Sequence, residues 1–188
     1  GGENMTNPME QIAELMKVSA RTAPKAGGVD KVETRVLKGD ELEELAGEMI
    51  KYGEKSDKSN FDRDGENVRN SEALLLVSIK EPQPLLLDCG ACGYDSCEEF
   101  EKRSEKGVFS EGDSETVSEF EGPSCVWRLI DLGIALGSAV KTASIHNADN
   151  RIMYRAGVAA KKMNLIEGDV VLGVPVSAEG KNIYFDRE

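Results

Sequence analysis

Cys89, Cys92 and Cys97 lie in the stretch DCGACGYDSCEEF with C-x2-C-x4-C spacing, and the chain has one further cysteine, Cys125. A C-x2-C pair joined by a tight turn can bring two sulfurs to one centre. Gly90 and Gly93 relieve backbone crowding there and let peptide N–H groups point at sulfur. Such N–H···S bonds stabilise an anionic cluster and tune its potential. Cys97 is placed to begin a helix over CEEFEKRSEK. Cys125 arrives from GPSC, where Pro123 stiffens the approach. Four thiolates are the complement of a 4Fe-4S cluster. They also suit tetrahedral zinc, although structural zinc sites more often carry two C-x2-C knuckles and this chain has one. Any one of these cysteines alone would read as a buried thiol. A C-x2-C dithiol oxidoreductase would leave Cys97 and Cys125 without a role. Three cysteines within nine residues, with a fourth to complete the set, point to metal, iron–sulfur ahead of zinc.

Other chemistry is sparse. His146 is the only histidine. It follows a long helix, where a cation suits the dipole, and it is also the candidate proton donor for catalysis. No nucleophile elbow, Walker loop or G-x-G-x-x-G turn is present. The 23 basic and 35 acidic residues give a net charge of −12, which repels a phosphate backbone and argues against a nucleic-acid partner. The longest apolar stretch, Cys125 to Ala143, is interrupted by Arg128, Asp131 and Lys141, so it reads as a core helix and not a membrane span. GGENMTNPMEQ lacks the basic and apolar regions of a signal peptide, so the expected compartment is cytoplasmic and the cysteines start as thiols.

A series of elements must position these groups. Asn7, Pro8 and Glu10 make a capping-box-like start to a first helix, with Ile12, Leu15, Met16 and Ser19 on one face. Pro24, Gly27 and Gly28 break it. Alternation in KVETRVLK predicts a half-exposed strand. Asp40 is placed to cap a second helix carrying Leu42, Leu45, Ala46, Met49 and Ile50 at helical spacing, followed by a solvated connection, GEKSDKS. Phe61 to Arg69 reads as a short helix, with Asp62, Arg63 and Asp64 on its solvated face. SEALLLVSIK predicts a buried strand.

Residues 106–121, acidic and rich in Ser and Gly, read as a surface insertion. Cys125 opens a long helix to about Ser144. Its Gly133 and Gly137 permit close helix approach across a dimer. Asn147 or Asp149 is expected to cap a helix over Arg151 to Met163. A strand over Val170 to Val174 ends at Pro175, and NIYF makes a last strand. The expectation is one α+β domain over 1–188, a mixed sheet packed by helices, with the cysteine segment 88–125 inserted.

CGACGYDSCEEF resembles the four-cysteine 4Fe-4S domain of corrinoid iron–sulfur proteins and of electron-transport complex B subunits, whose pattern runs NCGxCGxxxCxxFA and then a distant cysteine. Cys89, Cys92, Cys97 and Phe100 match it. Glu101 stands where that pattern has Ala, and 27 residues separate Cys97 from Cys125, more than is usual there. Across nearly the whole chain, SARTAPKAGGVD, FDRDGENVRNSEA, LIDLGIALGSAV, NRIMY and GVPVSAEGKNIYFDR are similar to a family of uncharacterised proteins of archaea and anaerobic bacteria described only as containing a ferredoxin domain.

The element order also resembles the FMN-dependent nitroreductase fold. That resemblance implies a homodimer through a long central helix, with FMN at the interface and a basic turn holding the flavin. In ARTAPK, Arg21, Thr22 and Lys25 would supply that turn, two cations and a hydroxyl that can neutralise a phosphate. Lys181 and Arg187 of GKNIYFDR form a second basic cluster. Arg21 and Lys25 equally suit a helix C-terminus, where cations meet the macrodipole. The resulting expectation is electron transfer through one cluster, coupled to FMN-dependent reduction of a small molecule or to a redox partner protein. The alternative is a non-enzymatic structural or sensing module stapled by the cluster or by zinc.

Overall fold

The run ALLLVSI is buried along its whole length, on both faces, so it must be the middle of a sheet covered on two sides. The computed structural model describes residues 7–105 and 118–185. In chain order its elements are α1 (Pro8–Thr22), β1 (Val32–Lys38), α2 (Asp40–Ser56), α3 (Phe61–Arg69), β2 (Ala73–Ile79), α4 (Cys97–Glu105), α5 (Val126–Ile145), β3 (Asp149–Asn150), α6 (Tyr154–Lys162) and β4 (Val170–Ser177). The sheet order is β1-β2-β4-β3. Its pairings are antiparallel throughout: Val32 opposite Ile79, Ala73 opposite Val176, and Asn150 opposite Val176 on the far side. The α+β class stands as expected, but the sheet is antiparallel and not mixed.

Alternation along the strands divides the core into two layers. Val32, Ala73, Leu75, Val77, Val174 and Val176 face α1 and α5. Leu37, Leu74, Leu76 and Val171 face the helices α2, α3 and α6. Each fully buried leucine of β2 contributes about 1.5–3 kcal/mol of transfer free energy. The layer behind β4 is unusually close. A Cβ on Gly157 of α6 would lie 1.8 Å from the Val171 carbonyl oxygen, so only glycine lets this helix rest on the strand.

Several local expectations shift. Gly39, at φ 57, occupies the cap position of α2, and Asp40 is its first residue. Leu15 is exposed while its neighbours Ile12 and Met16 are buried. The helix expected from Arg151 begins at Tyr154, because Met153 is held in a bridge to Gly173. β4 runs through Pro175 to Ser177. Gly173 N–H donates to Met153 and the Val176 carbonyl accepts from Glu72, so alternation turns the Pro175 nitrogen toward the β3 edge, where no ladder bond is lost. NIYF is a turn and not a strand: Asn182 Oδ1 accepts from the N–H groups of Tyr184 (3.0 Å) and Phe185 (3.2 Å). Asp64 is not on a solvated face. It is 1% exposed and accepts from Arg63 and Arg155, with Arg151 at 3.9 Å.

Candidate metal centre

The cysteine segment connects β2 to α5. Gly90 (φ 69) and Gly93 (φ 87) take left-handed conformations that turn the backbone twice between Cys89 and Tyr94, and Gly93 N–H closes the turn on Gly90 O at 3.0 Å. Asp88, itself left-handed at φ 46, accepts the N–H of Cys97 at 2.7 Å and fixes the start of α4. Phe100 is buried and meets Tyr94 edge to face at 5.7 Å. Cys125 is the N-cap residue of α5, 6% exposed, and its N–H donates to Pro82 O at 3.1 Å. These constraints bring three separate chain positions around one pocket. Cys89, Cys92, Cys97 and Cys125 all line it, with Leu85, Leu87 and Trp127 among the apolar walls.

The four thiols are free, and exposure falls from Cys89 to Cys125. Ala91's peptide N–H, then the indole of Trp127, hold the Cys89 thiol below its ordinary pKa, against desolvation and the Asp88 carboxylate. The indole Nε1 lies 3.4 Å from Cys89 Sγ. Among the described residues no three His, Cys, Asp or Glu side chains gather tightly enough to grip one metal ion.

One turn beyond Cys125, two of the three charged residues that interrupt the apolar stretch are not solvated. Arg128 and Asp131 are in fact 4% and 2% exposed. Arg128 donates to the carbonyls of Gln83 (3.3 Å), Ala26 (3.0 Å) and Val29 (3.3 Å), and Asp131 accepts Ala26 N–H at 2.7 Å. The pair ties the approach to the cysteine loop, the segment after α1 and the start of α5 into one unit. A charged i, i+3 pair inside an otherwise apolar helix was the available signal.

The basic turn is already occupied. Lys25 Nζ, on a side chain 6% exposed, donates to the α1 carbonyls of Ala20 and Arg21 and lies 3.8 Å from Asp30. Arg21 donates to Val32 O and pairs with Asp30 at 2.9 Å. Thr22 Oγ1 donates to Val18 O at 3.0 Å. Arg21 and Thr22 are exposed, so they keep a face toward solvent, whereas Lys25 caps the helix. His146 is the exposed residue ending α5. The 20 residues of that helix put it about 30 Å from Cys125. Lys181 is exposed, and Arg187 lies outside the described residues, as do residues 106–117 of the acidic insertion. The described end of that insertion is anchored. Glu119 accepts from Tyr52 (2.7 Å) and Lys58 (2.6 Å), and Phe120 meets Tyr154 edge to face. No helix among the described residues is long and apolar enough to cross a membrane.

The fold is similar to that of nitroreductases. Examples are nitroreductase CinD from Lactococcus lactis in complex with chloramphenicol (TM-score 0.55, 17% identity, 98% of this chain and 87% of that one) and a nitroreductase with bound FMN from Desulfitobacterium hafniense DCB-2 (TM-score 0.56, 12% identity, 94% and 81%). An NADPH:FMN oxidoreductase from Vibrio harveyi complexed with NAD+ is a third (TM-score 0.53, 10% identity, 97% and 64%). In sequence, the chain is 49% identical over 175 residues to an uncharacterised protein of Archaeoglobus fulgidus, covering 93% of this chain and 89% of that one. Residues 121–187 match the family model described as uncharacterised protein containing a ferredoxin domain, DUF2148. With its nitroreductase-like fold and four cysteines lining one pocket, the chain belongs to this family of ferredoxin-domain proteins.

Proposed function

We propose that this chain is an electron-transfer protein that carries one 4Fe-4S cluster on Cys89, Cys92, Cys97 and Cys125. The observation that carries the reading is the single pocket lined by all four cysteines. Four thiolates on one pocket are the ligand complement of such a cluster. A bound cluster supplies one-electron transfer. The residues around it do the rest: Gly90 and Gly93 turn the backbone so that the Ala91 N–H meets the Cys89 sulfur, Asp88 holds the start of α4, and Leu85 and Leu87 add apolar lining.

The same reading places a second copy of the chain on α5. Ile130 and Ile134 are 42% and 39% exposed there, and the Cβ directions of Gly133 and Gly137 meet nothing within 4 Å. It couples the cluster to FMN-dependent reduction of a small molecule or to a redox partner protein. Arg21 and Thr22 are the residues of the turn left to meet FMN, with Lys181 and Arg187 as further cations. His146, far from the cysteines, could serve only a substrate at the other end of α5. The test is anaerobic: chemically reduced protein should give the paramagnetic signal of a one-electron-reduced cluster, and protein incubated with FMN should retain yellow chromophore through gel filtration.

A second reading is a non-enzymatic structural or sensing module stapled by the cluster or by zinc. It is favoured by the neutralisation of Arg21 and Lys25 on Asp30. A loaded cluster that neither retains flavin nor undergoes reversible one-electron reduction would decide for it.

A further inference from the structure

Trp127 is the only tryptophan in the chain. It stands in the first turn of α5, two residues after Cys125, yet it is 37% exposed and not a core residue. An indole N–H is a donor without acceptor capacity, so where it points is informative. It points to the Sγ of Cys89, the most exposed of the four cysteines, at 3.4 Å. The same helix therefore supplies one buried cysteine through its cap and a hydrogen bond to a second cysteine of the pocket. Leu86, 70% exposed and three residues before Cys89, does not line the pocket.

We infer that Trp127 is a positioning residue that sets the reduction potential of the centre through its N–H···S bond to Cys89. The inference rests on the cluster reading above. Reduction adds negative charge that spreads onto the ligand sulfurs. A donor fixed on one of them stabilises the reduced state more than the oxidised state and raises the potential. Because Cys89 borders solvent, water would otherwise supply a fluctuating donor there. The indole replaces it with one that is fixed in direction by the helix.

The experiment is redox titration of the anaerobically purified, loaded protein beside Trp127→Phe, which keeps an aromatic ring and removes the donor, and Leu86→Ala, which opens the surface nearby. The expected result is a shift to more negative potential in Trp127→Phe, with a higher Fe–S(Cys) stretching frequency, and no shift in Leu86→Ala. An unchanged potential in Trp127→Phe overturns the inference. So does an equal shift in both variants, which would indicate general solvent access. Should Trp127→Phe lose the cluster, wild-type protein carrying nitrogen-15 in its single indole settles the matter. Magnetic coupling between that nitrogen and the reduced cluster is expected, and its absence overturns the inference. Wild-type protein without iron and sulfide would instead overturn the cluster reading itself.

Discussion

Arg128 and Asp131 pair at 3.3 Å inside the protein, one turn along the helix that Cys125 begins. Five contacts that cross between chain segments or oppose the two charges meet at this point, and none reaches solvent freely. Removing one partner of a buried pair costs about 3–5 kcal/mol, because the other charge is left uncompensated. Arg128→Met is therefore expected to lower stability by that amount in urea unfolding. Arg128→Met/Asp131→Leu should recover part of the loss, though not all, since the carbonyls of Gln83, Ala26 and Val29 stay without their donor.

Gly157 marks the closest approach of helix to sheet. Adding a methyl group 1.8 Å from the Val171 carbonyl oxygen cannot be accommodated by a rotamer change. Gly157→Ala should lower stability by about 3 kcal/mol or more, measured by thermal and urea unfolding. Gly137→Ala, on the open face of α5, should leave monomer stability within about 1 kcal/mol of wild type and slightly improve helix propensity.

The two cations of the basic turn should separate. Lys25 is a buried helix cap, so Lys25→Met should cost about 1–3 kcal/mol of stability through lost charge-assisted bonds to the Ala20 and Arg21 carbonyls. Arg21 is half exposed, and Arg21→Ala should reduce FMN retention with a smaller effect on unfolding. Equal FMN retention in Arg21→Ala and wild type would remove the turn from the flavin reading.

Burial, and next the Glu121 carboxylate, raise the pKa of Asp169 above its ordinary value. A carboxyl whose folded-state pKa is raised adds stability below its unfolded value, about 3.9, and loses that contribution as pH rises through the folded value. Charged Asp169 therefore weighs against the fold at neutral pH. Asp169→Asn should raise the melting temperature at about pH 7, and raise it less at about pH 3, where the carboxyl is already protonated.

Much of this architecture was legible in local pattern. The unbroken apolar run of β2, the period-2 alternation of β1 and the helical spacing from Leu42 to Met49 each lead to the observed element. Cys89, Cys92 and Cys97 stood out by their C-x2-C-x4-C spacing, whereas Cys125 joins their pocket across a gap longer than the pattern has. What escaped depends on contacts between distant segments. Asp64 looks solvated until Arg151 and Arg155, some ninety residues away, arrive beside it. The N-terminal boundary of α6 moves because Met153 pairs with Gly173, and NIYF turns because Asn182 captures two N–H groups. The Trp127–Cys89 bond spans 38 residues, and no periodicity announces it.

What the cysteine pocket holds decides between electron transfer and a zinc-stapled module. Wild-type protein purified without oxygen should contain about four iron and four acid-labile sulfide per chain with negligible zinc, and Cys125→Ser should lose most of both. Stoichiometric zinc without sulfide in the wild type, or a full and stable cluster in Cys125→Ser, would contradict the four-cysteine cluster.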